Sequence, residues 1–579
     1  MSVEAAELTK KKQMPEMTFG EEVTGAEALL RCLILEQVEY VFGYPGGAVL
    51  PIYDSLYSSY LDHVLTRHEQ GAIHAADGYA RATGKPGVVM ATSGPGATNL
   101  VTGIATAQMD SIPLVCITGN VAQSLIGTDA FQEANITGIT LPITKHNYFV
   151  RDVRDLPRVV KEAFYIASTG RPGPVLIDIP KDVANAKAPF YYPETIEVRG
   201  YKPTLTPSDE DVQEFIAAIQ TAKRPVILAG GGILAASAHE ELLAFAEKSR
   251  IPVINTFMGL GGFPGTHELA LNMPGMHGSY TANQALLNAD CIIGLGARFD
   301  DRITMGRTKE FGPNARIVHV DIDPAELGKN VETAVTVAGD VKSTLIKAIP
   351  LIAACDTAAW LDQLKTWQTE QPYRYHAEEN VLKPQQVIEM IYETTNGEAI
   401  VSTDVGQHQM WVGQFYKFKN PRSLISSGGL GTMGFGFPAA VGAQFAHPNR
   451  TVVSVSGDGG FQMTNQELAI VAQYKLPIKI VIINNQCLGM VRQWQEIFYE
   501  NRYSEIDLTC SPDFVKLAEA YGVRGMRAST PEEAKKVWEE ALAYNGPVVI
   551  DFRVANGENV LPMVATGDTL DQMMLLEDK

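Results

Sequence analysis

The chain has 579 residues, 45 % of them hydrophobic and 20 % charged, with a formal net charge of −19. That length exceeds a single hydrophobic core and points to three or four packed units, and the composition excludes extensive disorder. The acidic excess argues against nonspecific association with nucleic acid or an anionic membrane.

The run Lys10-Lys11-Lys12 reads as a solvated stretch of a short polar tail. Six cysteines without a CxxC pair or metal-ligand spacing fit a reducing compartment better than a disulfide framework. No charged region leads into an apolar segment, so the sequence reads as cytoplasmic and without a secretory signal. Further along, β-rich runs alternate with helical patterns, which indicates parallel sheets covered by helices. The expected fold class is α/β, with three doubly wound parallel-sheet domains. Buried strands are expected at 40–43, 88–92, 114–118 and 175–179, then at 226–229, 252–255, 291–295 and 317–321, and last at 400–403, 451–455, 479–483 and 548–552. Polar, proline-bearing stretches at 202–207 and 370–384 read as linkers. They divide the chain into domains at 18–195, 203–355 and 375–555, with 556–579 as a C-terminal tail. One uncharged stretch, 426–446, is long enough to span a membrane. Its six glycines and Pro438 suit a close-packed turn around a ligand better.

The first and last units resemble each other. Residues 89–120 run strand, Ser93-Gly94-Pro95-Gly96, helix, Ile112-Pro113, strand, Asn120. Residues 453–485 run strand, Ser456-Gly457-Asp458-Gly459, helix, Leu476-Pro477, strand, Asn484-Asn485, with spacings that agree within two residues. Two copies of one fold follow. Only the later copy carries an aspartate in its glycine turn and an asparagine pair after the next strand.

That later turn, Ser456-Gly457-Asp458-Gly459-Gly460, joins a strand to a helix, where open parallel sheets bind ligands. Glycines admit phosphate oxygens to backbone N–H groups, and a helix N-terminus favours negative charge. Asp458 adds a hard oxygen ligand, and Asn485, 27 residues later, adds another. Mg²⁺ prefers one or two such ligands together with phosphate oxygens and water. A glycine turn alone is equally compatible with a plain turn; the combination is far more specific. Gly457-Asp458-Gly459 through Asn485 resembles the thiamine-diphosphate signature. The resemblance implies a diphosphate held through Mg²⁺ by Asp458, Asn485 and the backbone carbonyl of Cys487.

The same resemblance extends to Glu69. A lone glutamate at a helix start is most often a solvated residue favoured by the helix dipole. Here Thr66-Arg67-His68-Glu69-Gln70-Gly71-Ala72, with Gly46 and Gly47 of the upstream Tyr44-Pro45-Gly46-Gly47 turn, is similar to the activating-glutamate motif. It implies a buried carboxyl against the cofactor's pyrimidine nitrogen. It also implies one cofactor shared between two chains, hence a homodimer at minimum, with a tetramer left open. Met433 matches the bulky residue that bends the cofactor, and the Gly431 carbonyl the acceptor for its amine. Gln407 and His408 match a diphosphate-contacting loop, and Pro95, Asn99, Gly460, Gly489 and Met490 complete the cofactor set.

Denser motifs narrow the family: GYPGGAVLPIYD from Gly43, HEQGAIHAADGYARATGKPGVV from His68, RPGPVLIDIPKDV from Arg171, GARFDDR from Gly296, SGGLGTMGFG from Ser427 and GMVRQWQ from Gly489. In number and order these resemble the catalytic subunit of acetohydroxyacid synthase. The resemblance implies decarboxylation of pyruvate and transfer of the two-carbon fragment to pyruvate, giving 2-acetolactate, or to 2-ketobutyrate, giving 2-aceto-2-hydroxybutyrate, in branched-chain amino-acid biosynthesis. Arg302 would hold the acceptor's carboxylate with its planar fork, and Trp494 would select the longer acceptor. Gly47, Gln132, Lys181, Phe131 and Met276 match other substrate contacts. Taken singly, Lys181 and Arg302 read as surface ion pairs, and Trp494 and Met433 as core.

In the middle unit, Ala229-Gly230-Gly231-Gly232-Ile233-Leu234-Ala235 fits a loose dinucleotide pattern. The acid expected after the next strand is absent, since Ile254 leads to Asn255 and Thr256. That counts against a nicotinamide dehydrogenase. The resemblance instead implies a structural, non-redox FAD contacted by Arg171, Gly231, Gly232, Met276, His277, Gly296, Arg298, Asp300, Arg302, Asp321 and Asp340. The RFDD run at 298–301 favours the biosynthetic branch, and a separate small regulatory subunit is implied. Two rivals remain: a flavin-redox relative of the pyruvate oxidase kind, and a noncatalytic subunit, against which Glu69, Asp458 and Asn485 argue.

Overall fold

The computed structural model describes residues 17–203 and 206–577. The Lys10–Lys12 run, positions 204 and 205 of the first expected linker, and positions 578 and 579 lie outside the described residues. Three parallel sheets organise the chain. The first has spatial order Asp62–Leu65, Tyr40–Tyr44, Gly87–Ala91, Leu114–Asn120, Pro174–Pro180, His146–Phe149. The third has Leu424–Ser426, Ile400–Thr403, Val452–Gly457, Lys479–Asn484, Val548–Arg553, Arg524–Ala528. Counted within each unit, the two orders are identical, so the duplication read from the spacing is also a duplication of topology. Between them lies a five-stranded sheet, Val253–Asn255, Pro225–Ala229, Cys291–Leu295, Arg316–Asp321, Val335–Ala338.

All twelve expected strands are present, with ends displaced by no more than two residues. Eleven of them are interior strands, and the twelfth, Val253–Asn255, lies at a sheet edge yet is buried throughout, so they read as continuous apolar runs. The strands of these three sheets absent from the expectation are Asp62–Leu65, His146–Phe149, Val335–Ala338, Leu424–Ser426 and Arg524–Ala528, each at the edge of its sheet.

The first and third units share one core, in which Phe42, Ile73 and Tyr79 meet Phe435, Phe437 and Phe445. Its centre is a helix pair, Glu69–Thr83 against Gly436–Ala446. Small residues set their closeness: a Cβ at Gly78 would collide with the Ala439 carbonyl oxygen, and one at Gly442 with that of Ala75. The uncharged stretch is therefore the end of a strand, a glycine loop and an 11-residue helix buried against another helix. Among the described residues no helix is long and apolar enough to cross a membrane. Buried Arg81 adds a polar tie across the two units. It pairs with Asp77 and, at 2.9 Å, with Asp110, and donates to the Ser426 carbonyl at 2.7 Å. Asp110 accepts the N–H groups of Gly428 at 3.1 Å and Gly429 at 2.7 Å, fixing the start of the loop that carries Met433.

The end of the chain folds back onto the middle unit. Met563–Val564 pairs antiparallel with Met573–Met574, and Val564 donates to the Met276 carbonyl at 2.8 Å. Met563, Val564 and Leu570 join the core of Val226 and Ile292.

Candidate active site

In an open parallel sheet, adjacent strands whose connections leave in opposite directions open a crevice at their C-terminal ends. In the third sheet these strands are Ile400–Thr403 and Val452–Gly457. The cavity there is lined by Val405, Gly406, Gln407, His408, Trp411, Met433, residues 457–460, Ile483, Asn485 and residues 487–491.

Asp458 opens the helix Asp458–Thr464 and is 1 % exposed. Its Oδ1 accepts the Gly459 N–H at 3.2 Å, while Oδ2 has no partner. Burial pushes its pKa up to about 7 against nearby backbone N–H groups. Asn485 is buried beside it; its Oδ1 accepts the Cys487 N–H at 3.3 Å, and its Nδ2 donates to Gln407 Oε1 at 3.4 Å. Gln486 turns the chain between them at φ 59°. Burial holds the Cys487 thiol up at about 11, so its hard donor is the backbone carbonyl. His408 is buried with Nε2 unpartnered, and burial lowers its pKa to about 4. Its neutral ring lies 3.1 Å from where a Gly457 Cβ would stand. Gly489 is required for space, because a Cβ would collide with Gln407 Oε1. Met490 lines the same wall.

Asp404, absent from the sequence expectation, stands beside this cavity. Its Oδ1 accepts the Val405 N–H at 2.7 Å and the Gly434 N–H at 2.8 Å, so it joins the cavity wall at Val405 to the loop of Gly431 and Met433. Its Oδ2 is buried without a partner, and a Cβ at Gly460 would collide with it. The signal available was its place directly after a strand at the crevice.

The first sheet forms the equivalent crevice around Glu69, which begins the helix Glu69–Thr83 after His68 has capped it by accepting the Gln70 N–H at 3.0 Å. Asn99 donates to Glu69 Oε2 at 2.9 Å, and Oε1 stands 3.3 Å from the position of a Gly96 Cβ. Pro95 and Asn99 bound the short helix of that turn. A Cβ at Gly46 would collide with Thr92, whose Oγ1 accepts the Ala48 N–H at 3.2 Å, whereas Gly47 faces open space. The expectation that Glu69 is buried needs correction. It is half-buried, because it opens its helix just after the edge strand Asp62–Leu65, at the rim of the sheet. The backbone of Gln132 packs 2.8 Å from the position of a Gly94 Cβ, and Gln132 adopts φ 61°. Phe131 is 87 % exposed and Lys181 is exposed. None of these first-unit residues lines the Asp458 cavity of its own chain.

In the middle unit, Gly230 and Gly232 crowd against Gly296, which adopts φ 58°. Gly231 lies beside Met258. Met276 donates its N–H to the Arg302 carbonyl at 3.2 Å, bringing residues 276–277 next to 300–302. Asp300 Oδ1 and His277 Nδ1 are buried there without partners. Arg298 donates to the Met109 carbonyl at 2.8 Å and pairs with Asp300 at 3.2 Å. Arg302 pairs with Asp301 at 2.6 Å and is about half exposed. Arg171 reaches over from the first unit to Glu326 at 2.7 Å and to Ser111 at 2.8 Å. Burial pushes Asp321 up to about 6. Asp340 caps the helix Val341–Ala348 by accepting the Ser343 N–H at 2.8 Å. Trp494 lies tilted against Phe498, ring centroids 5.2 Å apart, and packs against the core that contains Met276 and Ile303.

Comparison with known proteins agrees with this layout. The chain matches the thiamine pyrophosphate enzyme N-terminal TPP binding domain over residues 23–139, the central domain over 212–348 and the C-terminal TPP binding domain over 404–552. It is 46 % identical over 563 residues to an acetolactate synthase large subunit of Haemophilus influenzae, covering 96 % of this chain and 98 % of that one. It is 47 % identical over 568 residues to the acetolactate synthase isozyme 3 large subunit of Escherichia coli, covering 96 % and 99 %. An acetolactate synthase of Mycobacterium leprae is 50 % identical over 571 residues, covering 96 % and 91 %. With three matched domains and near-complete coverage at such identities, the chain belongs to the acetolactate synthase large-subunit family of thiamine pyrophosphate enzymes.

Proposed function

We propose that the chain is a catalytic subunit that decarboxylates pyruvate and joins the two-carbon fragment to a second pyruvate or to 2-ketobutyrate. The observation that carries this reading is the buried, unpartnered Asp458 Oδ2 beside Asn485 and Cys487 in a glycine-walled crevice. A carboxylate in that state costs several kcal/mol unless a cation meets it. One carboxylate, one amide oxygen and one backbone carbonyl are what Mg²⁺ takes when phosphate oxygens and water fill its remaining positions. When bound, thiamine diphosphate supplies an acidic ring carbon able to add to a keto group and to hold the electron pair left as CO₂ departs.

Within this reading Asp458, Asn485 and the Cys487 carbonyl hold the metal. Gln407, His408, Gly457, Gly459, Gly460, Gly489 and Met490 hold the diphosphate. Met433 would pack against the bound cofactor, and the Gly431 carbonyl would accept a hydrogen bond from its amine. Glu69 would hold a proton towards the cofactor's pyrimidine nitrogen through Oε1, since Asn99 occupies Oε2. The cavity is lined by third-unit residues alone, which supports a second copy of the chain as the source of Glu69, with Gly46, Gly47, Pro95, Asn99, Gln132, Phe131 and Lys181. A homodimer is then the smallest active unit. Arg302 offers its fork to the acceptor's carboxylate, and Trp494 forms the apolar wall that favours an added methyl by roughly 1–3 kcal/mol.

The middle unit's glycine crossing and the unpartnered Asp300 Oδ1 and His277 Nδ1 suit FAD held as a structural group. Arg171 would have to share its guanidinium with Glu326, and Asp340 its carboxylate with the helix it caps. The large-subunit names of the relatives support a separate small regulatory partner.

The test supplies purified protein with pyruvate, 2-ketobutyrate, Mg²⁺ and thiamine diphosphate under anaerobic conditions. Both acetohydroxy acids are expected. Pyruvate loss that requires oxygen or a quinone would point to a flavin-redox enzyme instead, and no turnover at all to a noncatalytic subunit.

A further inference from the structure

Glu467 closes the 3-10 turn Asn465–Glu467, directly after the helix that begins at Asp458. Its side chain is fully buried, at 0 % exposure, and it leaves its own unit. The two carboxylate oxygens accept the Arg67 backbone N–H at 2.9 and 3.2 Å, and the His68 N–H is directed to the same group. Arg67 and His68 are the two residues that precede Glu69. Space for the carboxyl exists because residue 71 is glycine; a Cβ there would collide with Glu467 Oε1. The group thus sits at the N-terminal end of the Glu69–Thr83 helix, where backbone donors lack intrahelical partners and negative charge is favoured.

We propose that Glu467 is a positioning residue for Glu69: it anchors the Arg67-His68 peptides from the third unit and so fixes the direction of the Glu69 carboxyl, while Asn99 fixes its far oxygen. The Arg67 N–H reaches both oxygens, a contact a carboxylate can make, whereas an amide would turn an NH₂ donor towards it in place of one oxygen. Burial raises the Glu467 pKa to about 7 despite these donors, and the cost of burying it is the mark of a group retained for what it holds. The arrangement also means that the segment bearing Asp458 and the turn bearing Glu69 are joined within one chain. The inference rests on the proposed role of Glu69 at the cofactor.

The experiment compares full-length Glu467→Gln, Glu467→Ala and Glu69→Gln with the parent protein. Amide exchange at Arg67 and His68, calorimetric affinity for thiamine diphosphate with Mg²⁺, and kcat and KM for pyruvate are measured. Both Glu467 variants are expected to speed exchange at the two amides and to lower kcat by roughly ten- to a hundredfold, the scale of a misdirected catalytic group. Cofactor affinity and KM should stay unchanged, and the glutamine, which keeps one acceptor, should recover part of the loss seen with alanine. If the alanine variant fails to fold, the isosteric glutamine carries the comparison. Parental kcat in the Glu467 variants, or a fall in kcat matched by an equal fall in cofactor affinity, would overturn the inference while Glu69→Gln remained impaired. An unimpaired Glu69→Gln would instead remove the role assigned to Glu69.

Discussion

Asn484 donates its side-chain amide to Asp551 on the neighbouring strand at 2.7 Å, and Asn120 reaches Asp178 in the same register in the first sheet at 2.6 Å. The two bonds occupy equivalent positions in the duplicated units. Asn484 therefore belongs to the shared scaffold, and the asparagine that distinguishes the later copy is Asn485, whose counterpart is Val121.

The pair separates by mutation. Asn484→Ala removes a buried hydrogen bond and is expected to cost about 1–3 kcal/mol of stability while leaving Mg²⁺-dependent cofactor binding near normal in whatever folds. Asn485→Ala should leave the melting temperature of the cofactor-free protein nearly unchanged and weaken Mg²⁺-supported thiamine diphosphate binding by about tenfold or more. Thermal melts and calorimetry on both variants distinguish the assignments. Equal effects of the two substitutions on both measures would show that the duplication argument misplaces the ligand.

Asp404 and Gly460 give a test of the crevice wall. The glycine is buried against Asp404 Oδ2, so Gly460→Ala must displace the carboxyl that ties Val405 to Gly434. A loss of about 1–3 kcal/mol is expected from the overpacking, accompanied by weaker cofactor binding. Gly47→Ala is the contrast, because nothing lies within 4 Å of the added methyl in the single chain. Its melting temperature should match the parent while turnover falls, since the proposed shared site fills that space. Turnover at the parental level in Gly47→Ala would argue against a cofactor seated there.

What could be read from the sequence follows from where the information lies. Interior strands such as Cys291–Leu295 announce themselves because both faces are dry, whereas His146–Phe149 at a sheet edge is partly exposed along its whole length and shows no apolar run. Asp458 and Asn485 were legible because a strand, a helix and a strand fix the spacing between them. Glu467 was not, since its meaning depends on contacts with Arg67 and His68 some 400 positions earlier, and a glutamate after a short turn otherwise reads as a solvated helix residue. The burial of Glu69 was overestimated because the residue opens its helix and stays half-buried at the rim of the first sheet.

Asp178 predicts a pH dependence of stability. It is buried, accepts from Thr118 Oγ1 at 2.7 Å and Asn120 Nδ2 at 2.6 Å, and has no cation in its hydrogen-bond set. Burial raises its pKa from 3.8 to about 7. A carboxyl whose folded value lies above its unfolded value binds its proton more tightly when folded. Its stabilisation is therefore complete below the unfolded value and is lost as the pH rises through about 7. The shift corresponds to at most roughly 4 kcal/mol. Asp178→Asn, whose oxygen can still accept from Asn120 while its NH₂ donates to Thr118 Oγ1, should gain in melting temperature relative to the parent between pH 5 and pH 8, values bracketing the folded pKa of about 7. Parallel curves for the two proteins across that range would show that Asp178 does not change its protonation there.

The proposed proton relay makes a final demand on Glu69. Its carboxyl is engaged by Asn99 at one oxygen and stands at the rim of the first sheet rather than in the Asp458 crevice, so replacing it should leave the diphosphate and metal contacts intact. Glu69→Gln keeps the size and the bond to Asn99 but cannot exchange a proton with the pyrimidine nitrogen. General acid–base groups of this kind typically contribute about 10²–10⁴-fold, and a fall of that size in kcat is expected. Calorimetry should return a cofactor affinity close to the parent's. Lost affinity would mean that Glu69 acts mainly in binding, and an undiminished kcat would mean that the proton reaches the cofactor by another route.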